Sequence, residues 1–148
     1  MSRKIVISVG GVVAIALTII TLNFSHKTPN SEIYTVIDVD DNLILNISNG
    51  REKNQIRLCG VDVPNSQKLA AKTLINKELK TIDSIAIFVF NGETAEVSIK
   101  SDSGIEKMLS EELLVNGLAK IKTDNCPNQS SLEIAETIAK QKTVGLWK

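Results

Sequence analysis

The chain has 148 residues, enough for one small domain with its own core and too few for a second. It carries 17 basic and 17 acidic residues, and three of the basic ones (Arg3, Lys4 and Lys27) precede position 28. From position 28 onward there are 14 basic and 17 acidic residues, a formal net charge of −3. With an aromatic content of only 3%, this acidic balance counts against general nucleic-acid binding, which favours a basic surface and stacking rings.

The N-terminal segment contains 20 consecutive uncharged residues, positions 5–24. A helix of that length spans a hydrocarbon core of ~30 Å. Because no convincing cleavage site follows Phe24, the segment predicts an uncleaved signal anchor, a single-pass transmembrane helix within residues 1–27. Positive charge on both flanks gives a modest preference for a domain on the extracytoplasmic side of the membrane. A cleaved secretion signal is the alternative.

The rest of the chain is predicted to form a short polar linker, 28–32, and one domain, 33–148. Runs of alternating or continuous aliphatic residues predict strands at 33–38, 43–47, 55–61, 84–90 and 94–100. Asn91-Gly92 is the strongest signal for a two-residue hairpin loop. These strands predict a β-rich domain.

Helical spacing of apolar residues predicts three helices, the first starting at Asn65 or Ser66 and ending near Leu79, the others at 105–115 and 130–142. Asn116-Gly117 is typical of a helix C-terminus. Ser130 and Glu133 have the spacing of a capping box, which predicts the start of the third helix. The pattern alone indicates a small α+β domain.

One segment brings several chemically active residue types together: Ile56-Arg57-Leu58-Cys59-Gly60-Val61-Asp62-Val63-Pro64-Asn65. It resembles the I/V-R-L-x-G-I/V-D-x-P-E signature of the staphylococcal nuclease family. Residues 110–120 resemble the family segment N-x-x-L-V-x-x-G-L-A-x, and residues 132–147 resemble its closing segment L-x-x-A-E-x-x-A-x-x-x-x-x-G-L/I-W. The resemblance is collinear over roughly 33–148. It implies a five-stranded OB-type Greek-key β-barrel with three helices, here preceded by the predicted transmembrane helix.

The resemblance also implies roles for the residues of the first motif. In the family the arginine, here Arg57, holds the scissile phosphate, the aspartate, here Asp62, binds Ca²⁺, and the glutamate after proline is the general base. This chain has Asn65 in place of that glutamate. A carboxylate can accept a proton from water and an amide cannot, so the base is lost. Two other interpretations stay open, a structural ion pair for Arg57 and a solvated turn residue for Asp62.

A second metal carboxylate of the family comes from a D-G-D-T turn, and the matching segment here is Asp38-Val39-Asp40-Asp41-Asn42. Strand alternation favours Asp41 as the ligand, whereas a simpler alignment favours Asp40. Together with Asp62, either carboxylate could give a weak Ca²⁺ site, because Ca²⁺ takes several oxygen ligands.

Two further family positions have changed in this chain. The second phosphate-binding arginine is replaced by Glu93, which reverses the charge. A carboxylate there would repel the negative charge that accumulates on the phosphate in the transition state. The aromatic residues that stack the substrate base are replaced by Thr123 and Asn125.

The two cysteines leave a further question open. The resemblance places Cys59 on the strand of Arg57, and Cys126 in the loop before the last helix, on the ligand-binding side of the barrel. They form either a disulfide, as an oxidising compartment permits, or two unrelated thiols. Two cysteines make no zinc site, and the single histidine, His26, lies outside the predicted domain, which excludes a histidine-based triad within it.

The sequence therefore predicts a membrane-anchored, nuclease-like domain that has lost catalysis. We expect it to act as a binding or assembly module with a protein partner in a membrane complex. The alternative is a Ca²⁺-dependent nuclease acting on DNA or RNA.

Overall fold

A computed structural model of the chain describes residues 31–80, 85–100 and 104–148. Within these ranges lie eight β-strands and three α-helices. The strands are β1 (Ser31–Val39), β2 (Leu45–Ser48), β3 (Lys53–Leu58), β4 (Val61–Asp62), β5 (Ile85–Asn91), β6 (Thr94–Lys100), β7 (Glu106–Met108) and β8 (Lys120–Ile121). The helices are α1 (Lys68–Lys80), α2 (Leu109–Val115) and α3 (Gln129–Gln141), and 3₁₀ turns occupy Asn65–Gln67 and Gly145–Trp147.

Five strands close into a barrel. β1 pairs antiparallel with both β2 and β5, β2 pairs with β3, and β5 pairs with β6. A short parallel pairing of β3 with β6, in which Arg57 lies opposite Thr94 and Leu58 opposite Ala95, completes the ring. The resulting order, β1-β2-β3-β6-β5, is that of an OB barrel, so the predicted OB-type fold with three helices is confirmed.

The predicted membrane anchor, 5–24, lies outside the described residues. Among the helices that the structure describes, none is long and apolar enough to cross a membrane.

The barrel interior is filled by the inward-facing residues of the strands. β1 carries a bulge between Val36 and Asp38, which shifts its alternation so that both Val36 and Val39 point inward and Ile37 remains exposed. All three helices add apolar side chains to the same core. Its largest fully buried side chains are Phe88, Leu45, Ile47, Ile75, Leu109, Leu113, Leu114 and Leu132.

The predicted strand 55–61 is wrong, because the chain turns at Gly60 and divides it into β3 and β4. Gly60 has φ +74°, and a Cβ at this position would lie 2.2 Å from Cδ1 of Leu132. Only glycine combines that backbone conformation with so close an approach. The Gly60 carbonyl accepts a hydrogen bond of 2.9 Å from the Lys122 amide, which brings the loop after β8 beside the turn.

Two predicted helix starts are wrong. The prediction of a helix at 105–115 fails because Glu106–Met108 pairs with β6 as β7, and α2 begins at Leu109. Ser130 does not cap the third helix, since α3 begins at Gln129 after Asn128. Asn128 is held from outside the helix by Glu96 on β6, whose carboxylate accepts bonds of 2.6 Å from its backbone amide and 2.7 Å from its side-chain amide.

Smaller differences affect the turns. Asn65 and Ser66 belong to a 3₁₀ turn that precedes α1, so neither caps that helix as predicted. The hairpin loop between β5 and β6 is Gly92-Glu93, one residue later than predicted. The predicted end of α2 is confirmed: the Gly117 amide donates to the Leu114 carbonyl and the next amide to the Leu113 carbonyl, both at 2.9 Å, which is a Schellman motif.

Candidate functional site

A cleft of about 690 Å³ opens beside the point where β3 meets β6. Its walls come from the end of β3, from β4 and the start of α1, from the turn between β1 and β2, and from the segment 121–124. Three polar residues of the sequence motif, Arg57, Asp62 and Asn65, line this one cleft. The structure therefore brings together the predicted phosphate ligand, one predicted metal ligand and the position of the missing base.

Arg57 is presented to the cleft by strand alternation. Its neighbours Ile56 and Leu58 are buried in the barrel, so its side chain points outward and is exposed. Within the described ranges the guanidinium has no hydrogen-bond or ion-pair partner. The interpretation of Arg57 as half of a structural ion pair thus finds no partner there, and its five N–H donors are available to a ligand.

Asn65 and Asp62 lie on either side of a rigid turn. Asp62 is exposed on β4, where it lies opposite Lys120 of β8 in the antiparallel strand pairing. Pro64 directs the chain into the 3₁₀ turn that begins with Asn65. Both side chains face the cleft from this turn. The group at the family's base position is therefore inside the site, but it is an amide that cannot take a proton from water.

The turn between β1 and β2 uses its carboxylates for other contacts. Oδ1 of Asp40 accepts hydrogen bonds of 2.8 Å from the amides of Asn42 and Ile44, which stabilise the turn in which Leu43 has φ +62°. Asp41, 96% exposed, pairs with Lys72 at 2.7 Å. The hydrogen bond and the positive charge of Lys72 lower the pKa of the Asp41 carboxyl. Neither aspartate is among the residues that line the cleft.

Of the three carboxylates predicted as Ca²⁺ ligands, Asp62 lines the cleft and Asp40 and Asp41 do not. Ca²⁺ takes six to eight oxygen ligands, usually with several carboxylates. In the part of the chain that the structure describes, no three Asp, Glu, His or Cys side chains form a group that could hold a metal ion. The weak Ca²⁺ site at Asp62 with Asp40 or Asp41 stays a prediction, and no functional step is assigned to it.

Glu93 lies at the hairpin next to Arg57 but outside the cleft. Its carbonyl accepts a 3.3 Å hydrogen bond from the Arg57 amide, and it borders a smaller cavity of about 250 Å³ together with Arg57. Thr94, the next residue, faces the cleft instead. Thr123 and Asn125, at the family positions of the stacking rings, do not line it either.

Three charged residues of the cleft carried no sequence signal: Lys68, Lys122 and Asp124. Nζ of Lys122 pairs with Asp124 at 3.1 Å, and Nζ of Lys68 lies 3.5 Å from Oδ1 of Asn42. These residues come from helix and loop positions where a charged side chain is ordinarily a solvated surface group, so only the folded chain identifies them. With Arg57 and Asp62 they give the cleft three positive and two negative charges.

The loop wall of the cleft is fixed by a disulfide between Cys59 and Cys126, whose Cα atoms lie 6.0 Å apart. Asn91 supports the same loop, since its side-chain amide donates to the Asp124 carbonyl at 2.9 Å. Oγ of Ser110 donates a hydrogen bond of 2.7 Å to the Cys59 carbonyl. The two cysteines therefore form a disulfide rather than two unrelated thiols. This bridge holds Asp124 and its neighbours beside β3.

Glu136 holds β8, whose Ile121 lines the cleft, in place. It is buried in α3 and accepts hydrogen bonds of 2.8 Å from the Ile121 amide and 2.7 Å from Nζ of Lys140. Burial raises the pKa of its carboxyl, but the bonds from Lys140 and Ile121 and the charges of Lys140 and Lys120 outweigh burial, so the net effect is a lowered pKa. The carboxyl is therefore held in its charged form.

The family model for staphylococcal nuclease homologues matches residues 55–148, more than half of the chain. The chain belongs to the staphylococcal nuclease homologue family. The matched range contains Arg57, Asp62, Asn65 and Glu93, and it begins after the turn that carries Asp40. A search of curated proteins gave no match for this nuclease homologue.

Proposed function

We propose that this staphylococcal nuclease homologue binds rather than cleaves, and that it serves as a binding and assembly module attached to a membrane by residues 5–24. The observation that carries the proposal is Asn65, which faces the cleft at the position where the family has its general base. An uncleaved ligand can occupy such a cleft, whereas an attacking water has no acceptor for its proton there.

The magnitudes support a loss of catalysis. Losing a general base removes roughly 10²–10⁴ in rate. Losing a transition-state charge stabiliser removes about 10²–10³ more, and Glu93 has the charge opposite to that stabiliser. These losses do not add strictly, but either one alone makes turnover small.

The cleft retains what binding needs. Arg57 has no ion-pair partner within the described ranges, and Lys68 faces the same space. Planar guanidinium donors hold phosphate or carboxylate oxygens bidentately. The ligand class that fits is therefore a small anionic group, while the net charge of −3 beyond position 27 disfavours a long nucleic acid.

Two features support a position outside the cytoplasm at a membrane. The uncharged run 5–24 has the length of a membrane span. The Cys59–Cys126 disulfide is of the kind that forms and persists in oxidising, exported environments. A non-catalytic domain at this location would act through a protein partner in the same membrane.

A nuclease assay tests the loss of catalysis. Full-length protein in mild detergent is incubated with single-stranded DNA, double-stranded DNA and RNA, with Ca²⁺ or EDTA. We expect no cleavage above that of a mock preparation. Ca²⁺-dependent, EDTA-sensitive turnover that disappears in Arg57→Ala and persists in the matched exposed-arginine variant Arg51→Ala would refute the proposal.

The second candidate function is a Ca²⁺-dependent phosphodiesterase. Arg57 and Asp62, two of the family's functional positions, share one cleft, which favours this alternative. The assay above separates the two functions. The assembly role is tested by purification from detergent-solubilised membranes, where we expect another membrane protein to co-purify at a fixed ratio.

A further inference from the structure

A second concave surface, the α2–α3 groove, lies between the outer faces of the two helices and encloses about 310 Å³. Its apolar floor is formed by Val115 from α2 and by Ile134, Ala135 and Ile138 from α3. The cleft with Arg57 shares none of these residues. The groove is therefore a separate site.

Helix α3 presents two apolar faces, and the structure accounts for only one. Leu132 and Ala139 are fully buried against the core. Ile134 and Ile138, one turn apart on a different face, border the groove, and Ile134 is 61% exposed. A helix with a second apolar stripe has a face suited to packing against another element.

The rim of the groove is acidic. Glu111 and Glu112 line it, and no lysine or arginine does. Glu112 lies 3.8 Å from Lys107, whereas Glu111 has no ion-pair partner among the described residues. An occupant of this groove must therefore offer apolar side chains together with a positive charge.

We propose that the α2–α3 groove binds an amphipathic helix of a partner protein, with apolar residues at i, i+3 or i+4, and i+7 and with lysine or arginine beside them. The inference rests on the assembly role proposed above and names the class of partner. A helix fits because an amphipathic helix can lay its apolar face into a hydrophobic groove. The positive flank pairs with the unpartnered Glu111 and gives the contact its specificity.

Site-specific photo-crosslinking tests the proposal with the full chain in its native host. A photoreactive amino acid replaces Ile134, and the matched control carries it at Ile33, which is 66% exposed on β1 and outside the groove. The adducts are purified and the crosslinked segment is sequenced by mass spectrometry. We expect the Ile134 probe to react with a segment that has helical apolar spacing and at least two basic residues, and the Ile33 probe not to react with it.

A charge reversal supplies the second arm. Glu111→Lys should reduce the yield of that adduct at least fivefold, while Glu133→Lys, an exposed position on α3 outside the groove, should leave it unchanged. Glu111 has no ion-pair partner among the described residues but lies in the first turn of α2, so Glu111→Lys should lower the melting temperature by only a few degrees, through the helix dipole. An adduct with a second copy of this chain, with lipid or with an acidic or extended segment would overturn the proposal. So would no adduct, or a yield insensitive to Glu111→Lys.

The two proposals fail separately. Loss of the crosslink with no nuclease activity leaves the non-cleaving role intact and removes the helix partner. Nuclease turnover with an intact, charge-dependent crosslink removes the non-cleaving role and retains the partner site.

Discussion

Removal of the Cys59–Cys126 bridge should strongly destabilise the domain. The two cysteines are 67 positions apart, and the chain-entropy relation for a loop of that length gives about 4 kcal/mol of stabilisation through the unfolded state. For a domain of this size, such a loss lowers the melting temperature by about 15 °C. The double substitution Cys59→Ala with Cys126→Ala removes the bridge without adding bulk at these two buried positions.

The measurement is urea unfolding of residues 28–148 with and without a dithiol reductant. The variant should show a lower midpoint and a steeper dependence on urea, since an uncrosslinked unfolded chain exposes more surface. Reductant should bring the parent protein to the stability of the variant and should not affect the variant itself. A loss below about 1 kcal/mol, or two titratable thiols in the unfolded parent without reductant, would refute the reasoning.

Three further predictions concern substitutions at one or two positions. Gly60→Ala should lower the free energy of unfolding in urea by roughly 2–4 kcal/mol, because positive φ and overpacking combine at this position. Gly50 has positive φ but open space around it, so Gly50→Ala should lower it by about 1 kcal/mol; equal losses would contradict the packing argument. Glu136→Gln should lower the free energy of unfolding by about 1 kcal/mol at pH 7. Because the native pKa of this carboxyl is lowered, the stability difference from the parent should be full above the unfolded pKa near ~4.3 and vanish as the pH falls through the native pKa; a pH-independent difference would contradict it. Asn65→Glu with Glu93→Arg should restore at most a trace of Ca²⁺-dependent DNA cleavage, because the surrounding contacts have changed too; turnover like that of an ordinary nuclease would show a preserved site.

Sequence reasoning identified the barrel because the motif around Arg57 and the closing segment around Glu136 occur in the family's order. It located β6 and the end of α2 correctly, and for α2 this is because local cap chemistry at Asn116-Gly117 determines the end. It misplaced the start of α2 because Glu106–Met108 is a strand only through its pairing with β6. Its pairing partners lie six to ten residues earlier in the chain, and the strand propensity of the segment alone does not reveal them.

For the site, the sequence supplied Arg57, Asp62 and Asn65, which lie in one short segment and keep their mutual geometry through a rigid turn. Lys122 and Asp124 were missed because the disulfide and Asn91 bring them to the cleft from a distant part of the chain. The alternative between Asp40 and Asp41 could not be decided from alternation. The turn that holds them is built by side-chain bonds to its own backbone, and these override strand periodicity.

The parallel pairing of β3 with β6 has a consequence for how the domain folds and opens. It joins Arg57 to Thr94 across 37 positions of chain, whereas the meander β1-β2-β3 and the hairpin β5-β6 are local and can form first. We expect the two non-local pairings, β3 with β6 and β1 with β5, to close the ring late in folding, and Arg57 and Thr94, which both line the cleft, to meet only then. A ligand that touches both sides of the seam would therefore slow unfolding and leave the folding rate almost unchanged.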